Sequence, residues 1–200
     1  LQKPSLNPLY ICIQMANFDH DNVVPYKDSA LDKKGQVAEM FNDISGKYDL
    51  LNRLLSGGID LHWRKKALSH LKSIKPQNLL DVATGTADVA IMAHKQLKIP
   101  SIIGIDISDG MLDLGRKKIK SLGFENNITL HNGDSEAIKH PDNSFDAVTV
   151  AFGVRNFQQL EKGLSEILRV LKPGGKLMVL EFSRPKNALV KKVYDLYMKV

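Results

Sequence analysis

The sequence predicts an α/β protein built on a doubly wound, mainly parallel sheet, with a helical cap ahead of it. Three observations carry that expectation. From residue 78 onward, short apolar runs alternate with stretches of helical periodicity. The first run, Leu79-Leu80-Asp81-Val82, passes into the small-residue turn Ala83-Thr84-Gly85-Thr86-Ala87-Asp88, whose backbone a ligand can approach closely. The second, Ile102-Ile103-Gly104-Ile105, ends on Asp106, 20 residues beyond Thr86, where a nucleotide-binding βαβ unit places an acid for the ribose hydroxyls.

Each element has its own signal. Val37, Met40, Phe41 and Ile44 share one helical face, Ser45-Gly46 predicts a break, and Tyr48, Leu51 and Leu55 continue to a stop at Ser56-Gly57-Gly58. A second helix is expected from Asp60 to Ser73, ending before Pro76. After the nucleotide unit, Asp109 is the expected cap of a helix that Gly123 closes. A strand over Asn127–His131 leads into the Asn132-Gly133-Asp134-Ser135 loop, and Phe145–Ala151 is apolar enough for a central strand. A helix over Phe157–Leu171, the turn Lys172-Pro173-Gly174-Gly175 and a strand over Lys176–Glu181 complete the sheet. The resulting plan is a leader over 1–32 and one domain over 33–200, with the cap at 36–75, the sheet at 78–182 and a C-terminal helix at 187–200. Met15 opens a polar stretch, so residues 1–14 are expected to precede the natural start.

Composition narrows the class. A hydrophobic content of 43% supports a folded core, and the net charge of +6 is spread along the chain rather than gathered into a basic run interleaved with aromatics, which argues against nucleic acid. Weak attraction to anionic lipid is at least as good a reading of that charge. Cys12 is the single cysteine, so neither an internal disulfide nor a multi-cysteine metal site is expected, and the chain reads as intracellular and cytoplasmic. No metal ligand set stands out, and no apolar run approaches the ~20 residues that span a bilayer.

Two ligands compete for the turn. A dinucleotide wants G-x-G-x-x-G, whereas this turn has only Gly85 within the frame D-x-A-x-G-x-A from Asp81 to Ala87. That frame resembles the first motif of class I S-adenosylmethionine-dependent methyltransferases, which implies a ligand whose positive sulfonium suits carboxylates such as Asp81 and Asp88. On the turn alone that reading and an ordinary crossover weigh equally; Asp106 at its spacing favours the nucleotide.

The segments YDLLNRLLSGGIDLHWRKK, LLDVATGTADVA, GIDISDGML, PDNSFDAVTVAFGVRN and RVLKPGGKLMVLEFSRP together resemble the quinone C-methyltransferases of menaquinone and ubiquinone synthesis, a class I family with a Rossmann-like fold. The resemblance runs from about Lys33 to Val200, and the spelling AFGVRNF is closer to the menaquinone branch. It implies methylation of a ring carbon of demethylmenaquinol with S-adenosylmethionine, the alternative being a polyprenyl benzoquinol of the ubiquinone pathway. Position by position, it puts cofactor contacts on Thr86, on Asp106 at the ribose diol, and on Asp134 and Ser135 at the adenine. Gly85 and Asp81 of the first turn join them. Ala87 stands where the family often has glycine, and Ala151 where ubiquinone-pathway members have a serine. The family domain also continues into a final strand pair, which the sequence lacks, so an open sheet edge is expected.

Duller readings accompany these. Asp134 after Gly133 is an ordinary turn residue, Tyr48 and Trp63 suit cap packing, and His62 and His131 have no metal-spaced partner. Arg155, just past a central strand, lies on the ligand side of an open α/β sheet, with a surface ion pair as its competing role. The proposed chemistry needs a quinol hydroxyl held as phenolate, with Arg155 supplying charge and Tyr48 or Asp49 orienting or deprotonating it. The polyprenyl tail implies transient peripheral contact at the inner face of the membrane, for which Leu189, Val193, Leu196 and Val200 offer one helical face, core packing being the other use of it; a homodimer is compatible. Two other classes stay open. A short-chain nicotinamide oxidoreductase would need a Tyr-x-x-x-Lys pair, but Tyr194 is followed by Met198. A non-catalytic nucleotide-binding module would bind and turn nothing over.

Overall fold

The computed structural model describes residues 23–182. Residues 1–22 of the expected leader and the expected helix over 187–200, with its apolar face, lie outside them. Five strands, β1 (Asn78–Val82), β2 (Ser101–Asp106), β3 (Ile128–Asn132), β4 (Phe145–Ala151) and β5 (Leu171–Leu180), form one sheet in the order β3-β2-β1-β4-β5. Every pairing is parallel, with Leu80 opposite Ile103 on one side and Val148 on the other. The chain winds outward from β1 to β3 and then returns to the far side of β1 with β4. That reversal opens a crevice beyond the carboxyl ends of β1 and β4, the place where open α/β sheets bind ligands.

Successive side chains of β1 serve the two faces of the sheet. Leu79 joins Ile102, Leu130 and Ala147 in a core closed by α2 (Ile59–Ser69), α3 (Asp88–Leu97) and α4 (Asp109–Leu122), while Leu80 and Val82 join Ile105, Val148 and Val150 in a second core closed by α5 (Leu160–Val170). Gly104 of β2 leaves room for the turn: a Cβ there would stand 2.6 Å from Leu130 and 2.8 Å from Thr84 Oγ1.

Five elements differ from expectation, β5 among them, which begins at Leu171 rather than Lys176. The break at Ser45-Gly46 is absent, and α1 runs unbroken over Lys33–Ser56, from the Asp32 cap to a left-handed Gly57. One exposed glycine costs a helix only about 1 kcal/mol, and side chains on both sides of Gly46, Asn42 and Asp49, are fastened to the segments that follow β2 and β1. Ser108, rather than Asp109, caps α4, its hydroxyl accepting from the Met111 N–H. The second cap helix tightens after Ser69 into a 3₁₀ turn at Lys72–Ile74. The helix expected from Phe157 begins at Leu160, after a 3₁₀ turn at Val154–Asn156. In β5, pairing passes from Phe145↔Leu171 to Ala147↔Lys176, so the Lys172-Pro173-Gly174-Gly175 segment bulges opposite Asp146. Part of the expected leader is strapped to α1, since Gln36 accepts from the Tyr26 N–H and donates to the Leu31 carbonyl.

Candidate active site

The turn after β1 explains its own composition. Ala83, Gly85 and Ala87 all adopt left-handed backbone, with φ of 54°, 55° and 65°. Alternate positions of the frame must therefore be small, because a bulkier side chain adds strain there. The Thr84 N–H donates to the Ile105 carbonyl and the Ala87 N–H to the Thr84 carbonyl, so the bend is fixed to β2 as well as to itself. Across the crevice, Gly153 packs so closely that a Cβ would lie 2.5 Å from that of Ala83.

Asp106 stands at the end of β2 and accepts from the Gly85 N–H at 2.8 Å and the Ser108 N–H at 2.9 Å. Burial pushes its carboxyl above the usual range, against the pull of the backbone N–H groups of Ser108, Gly85 and Ile107. Asp134, after β3, pairs with Lys34 of α1 at 2.5 Å and accepts from the Glu136 N–H. Lys34 also reaches Glu136 at 3.3 Å, a carboxylate only 4% exposed that in turn accepts from the Gln159 N–H. Burial acts to lower the Lys34 pKa, but these two acids outweigh it and raise it.

These groups surround a cleft of about 640 Å³, its solvent mouth included, roofed by Val37, Phe41 and Tyr48 of α1 and floored by Ala83, Gly85 and Asp106. Phe41 and Tyr48 meet edge to face at 5.8 Å. Of the residues singled out by sequence, Gly85, Asp106, Asp134, Ser135 and Tyr48 line the cleft.

The other four lie outside its lining. Asp81 is 1% exposed and sits beneath the turn, where it accepts from Thr84 and Thr149 hydroxyls at 2.6 Å each. Burial is the main cause that pushes its pKa up to about 6. Thr86 donates to Asp49 at 2.7 Å and accepts from Lys118 at 2.9 Å, and Asp49 pairs with Lys118 at 2.6 Å. Arg155 pairs with Glu181 and stacks over Phe182, with its side chain 46% exposed. Behind them an ionic network joins Arg53, Asp60, Arg64, Asp88 and Lys118. Burial would raise the Asp88 carboxyl, yet Lys118, Arg64 and Arg53 hold it below the usual range.

Sequence reasoning missed Lys34, Glu136 and Asn42. Nothing marks Lys34 among the 28 basic residues, and its role depends on a contact 100 positions away. Asn42 accepts from the Ser108 hydroxyl and the Gly110 N–H, again a long-range pairing.

A parallel sheet with this switch point, a glycine-poor left-handed turn and a carboxylate at the end of β2 define the class of S-adenosylmethionine-dependent methyltransferases. Residues 28–200 match the ubiE/COQ5 methyltransferase family. The chain belongs to that family. It is 45% identical over 184 residues to the demethylmenaquinone methyltransferase of Bacteroides fragilis, covering 92% of this chain and 75% of that protein. It is 47% identical over 170 residues to the ubiquinone/menaquinone biosynthesis C-methyltransferase UbiE of Geobacter sulfurreducens, covering 84% and 66%. Among solved structures, a putative methyltransferase from Bacillus halodurans is 29% identical with a TM-score of 0.54, covering 66% of this chain and 57% of that one. The cyclase SpnF, at 22% identity and a TM-score of 0.66 over 78% of this chain and 63% of its own, shares the fold alone.

Proposed function

We propose that this protein transfers the methyl group of S-adenosylmethionine to a ring carbon of a polyprenyl quinol, demethylmenaquinol. Asp106 carries the reading. Its two oxygens are aimed by backbone N–H groups, and it lines the cleft beside the bare turn, so its remaining lone pairs are available to a cis-diol. Asp134 and the Ser135 backbone take the adenine edge, and Gly85 lets the ligand lie against the chain.

When bound, S-adenosylmethionine would supply an electrophilic methyl group to the ring carbon beside a phenolate, sulfur keeping the electron pair of the broken carbon–sulfur bond and the ring carbon's proton passing through solvent to the ring oxygen. No covalent nucleophile is needed, so the protein's part is to align the partners and keep water out. Tyr48 projects from α1 into the cleft and orients the quinol hydroxyl. Asp49 acts through Thr86, holding the first turn against Lys118, and Arg155 is a positioning residue for the β4 end of the site through Glu181. The names of the relatives support the quinol as acceptor. No helix among the described residues is long and apolar enough to cross a membrane.

Calorimetry with S-adenosylhomocysteine and an assay of methyl transfer to a short-tailed demethylmenaquinol test the proposal. Asp106→Ala should weaken binding by roughly 10-fold or more, the loss of charge-assisted hydrogen bonds to a diol. Absence of heat with the wild type, or unchanged affinity in the variant, would overturn it.

A further inference from the structure

We propose that the tip where α1 meets α2 is a docking surface for a bilayer containing anionic lipid. The idea rests on the polyprenyl quinol reading and says where the enzyme meets its substrate's solvent. At this tip Leu50 is 69% exposed, Leu54 73%, Leu55 64% and Ile59 52%, and Leu61 and Trp63 are exposed beside them. A water-facing helix end is ordinarily polar, so a contiguous apolar ridge of this kind marks an interface.

Charge selects the occupant. The exposed ionised side chains between positions 47 and 66 are Lys47, Lys65 and Lys66, all basic. The acids of the same stretch face inward: Asp49 is bound to Thr86 and Lys118, and Asp60 is buried against Ser56 and Arg64. A second copy would set lysine against lysine. An anionic bilayer accepts leucines among its acyl chains and lysines at its headgroups, with Trp63 at the boundary between them.

Position supports the same occupant. Tyr48, Leu51 and Leu55, at i, i+3 and i+7, form one stripe that leads from the wall of the cleft to the tip. A quinol ring can enter beside Tyr48 while its tail remains in lipid.

The test is sedimentation of the full chain with phosphatidylcholine vesicles, with and without phosphatidylglycerol. Wild type should pellet with the anionic vesicles. The double variants Leu50→Glu/Leu54→Glu and Lys65→Glu/Lys66→Glu should each reduce the bound fraction about 10-fold, with melting temperature and turnover of a short-tailed demethylmenaquinol unchanged. Equal binding by wild type and the leucine variant, or no binding by wild type, overturns the surface. So does a wild-type dimer that the leucine variant turns into a monomer, which would make the ridge a self-interface. Binding to vesicles without methylation of the short-tailed quinol leaves the surface standing and removes the quinol reading instead.

Discussion

Asp81 should make the protein less stable as pH rises from about 4 to about 8. Its carboxyl is 1% exposed and receives two neutral hydroxyls, from Thr84 and Thr149. Burial pushes its pKa from 3.8 to about 6, against those hydroxyls and Arg64, and the nearby Asp106 charge adds to the rise. Below the ordinary pKa both folded and unfolded chains hold the proton, and there is no penalty. Between the two values only the unfolded chain ionises, so folding costs about 1.4 kcal/mol more for each pH unit. The penalty is complete above about pH 7, at roughly 3 kcal/mol. Asp81→Asn keeps the shape and cannot ionise. Urea unfolding of both proteins across this range should show the stability of wild type minus that of the variant falling by roughly 3 kcal/mol. A flat difference would refute burial as the controlling effect. A difference that rises with pH would show that the two threonines favour the charged carboxylate more than burial opposes it.

Three further changes bear on the same region. Asp60→Ala removes a buried carboxylate shared by Arg53 and Arg64; two guanidinium groups lose a partner, and urea unfolding should show a loss of about 3 kcal/mol. Gly104→Ala drives a methyl against Leu130 and Thr84, and the melting curve should report a cost of roughly 1–3 kcal/mol. Gly153→Ala presses on Ala83 at 2.5 Å; because this contact distorts the first turn, calorimetry should show weaker S-adenosylhomocysteine binding, with the melting temperature less affected than in Gly104→Ala.

The sheet was legible because its signals are local. Apolar runs bounded by turns place β1, β2 and β4 within a residue of their observed ends, and the spacing from Thr86 to Asp106 identifies the crossover. Of the cleft's lining, the sequence marked Gly85, Asp106, Asp134 and Ser135 through their places at or just after strand ends, and Tyr48 through its place on the cap helix. Asp81 shows the limit: an acid at the start of the frame reads as a ligand, yet strand alternation and the tight turn fold it under the loop, where its partners are hydroxyls. Arg155 shows another, since the carboxylate that engages it, Glu181, arrives from β5's end, 26 positions later. Gly46 fails as a helix breaker for the same reason. Its local cost is small, and the contacts that overrule it come from distant loops.

Those contacts give α1 its part in the site. Lys34 holds Asp134 in the loop after β3, Asn42 holds Ser108 and Gly110 after β2, and Asp49 and Arg53 hold Thr86 and Asp88 after β1. One helix thus fastens three strand-end loops in succession, with anchors about two turns apart and on one side. A loop by itself is the most variable part of an α/β fold. Three loops tied to a single rigid rod cannot shift independently, so the groups assigned to adenine, ribose and the first turn keep their mutual spacing. A neighbouring face of the same rod carries Leu50 and Leu54 outward. Seating that side on a bilayer would therefore fix the orientation of the cleft relative to the lipid surface, and the unbroken helix through Gly46 is what transmits one placement to the other.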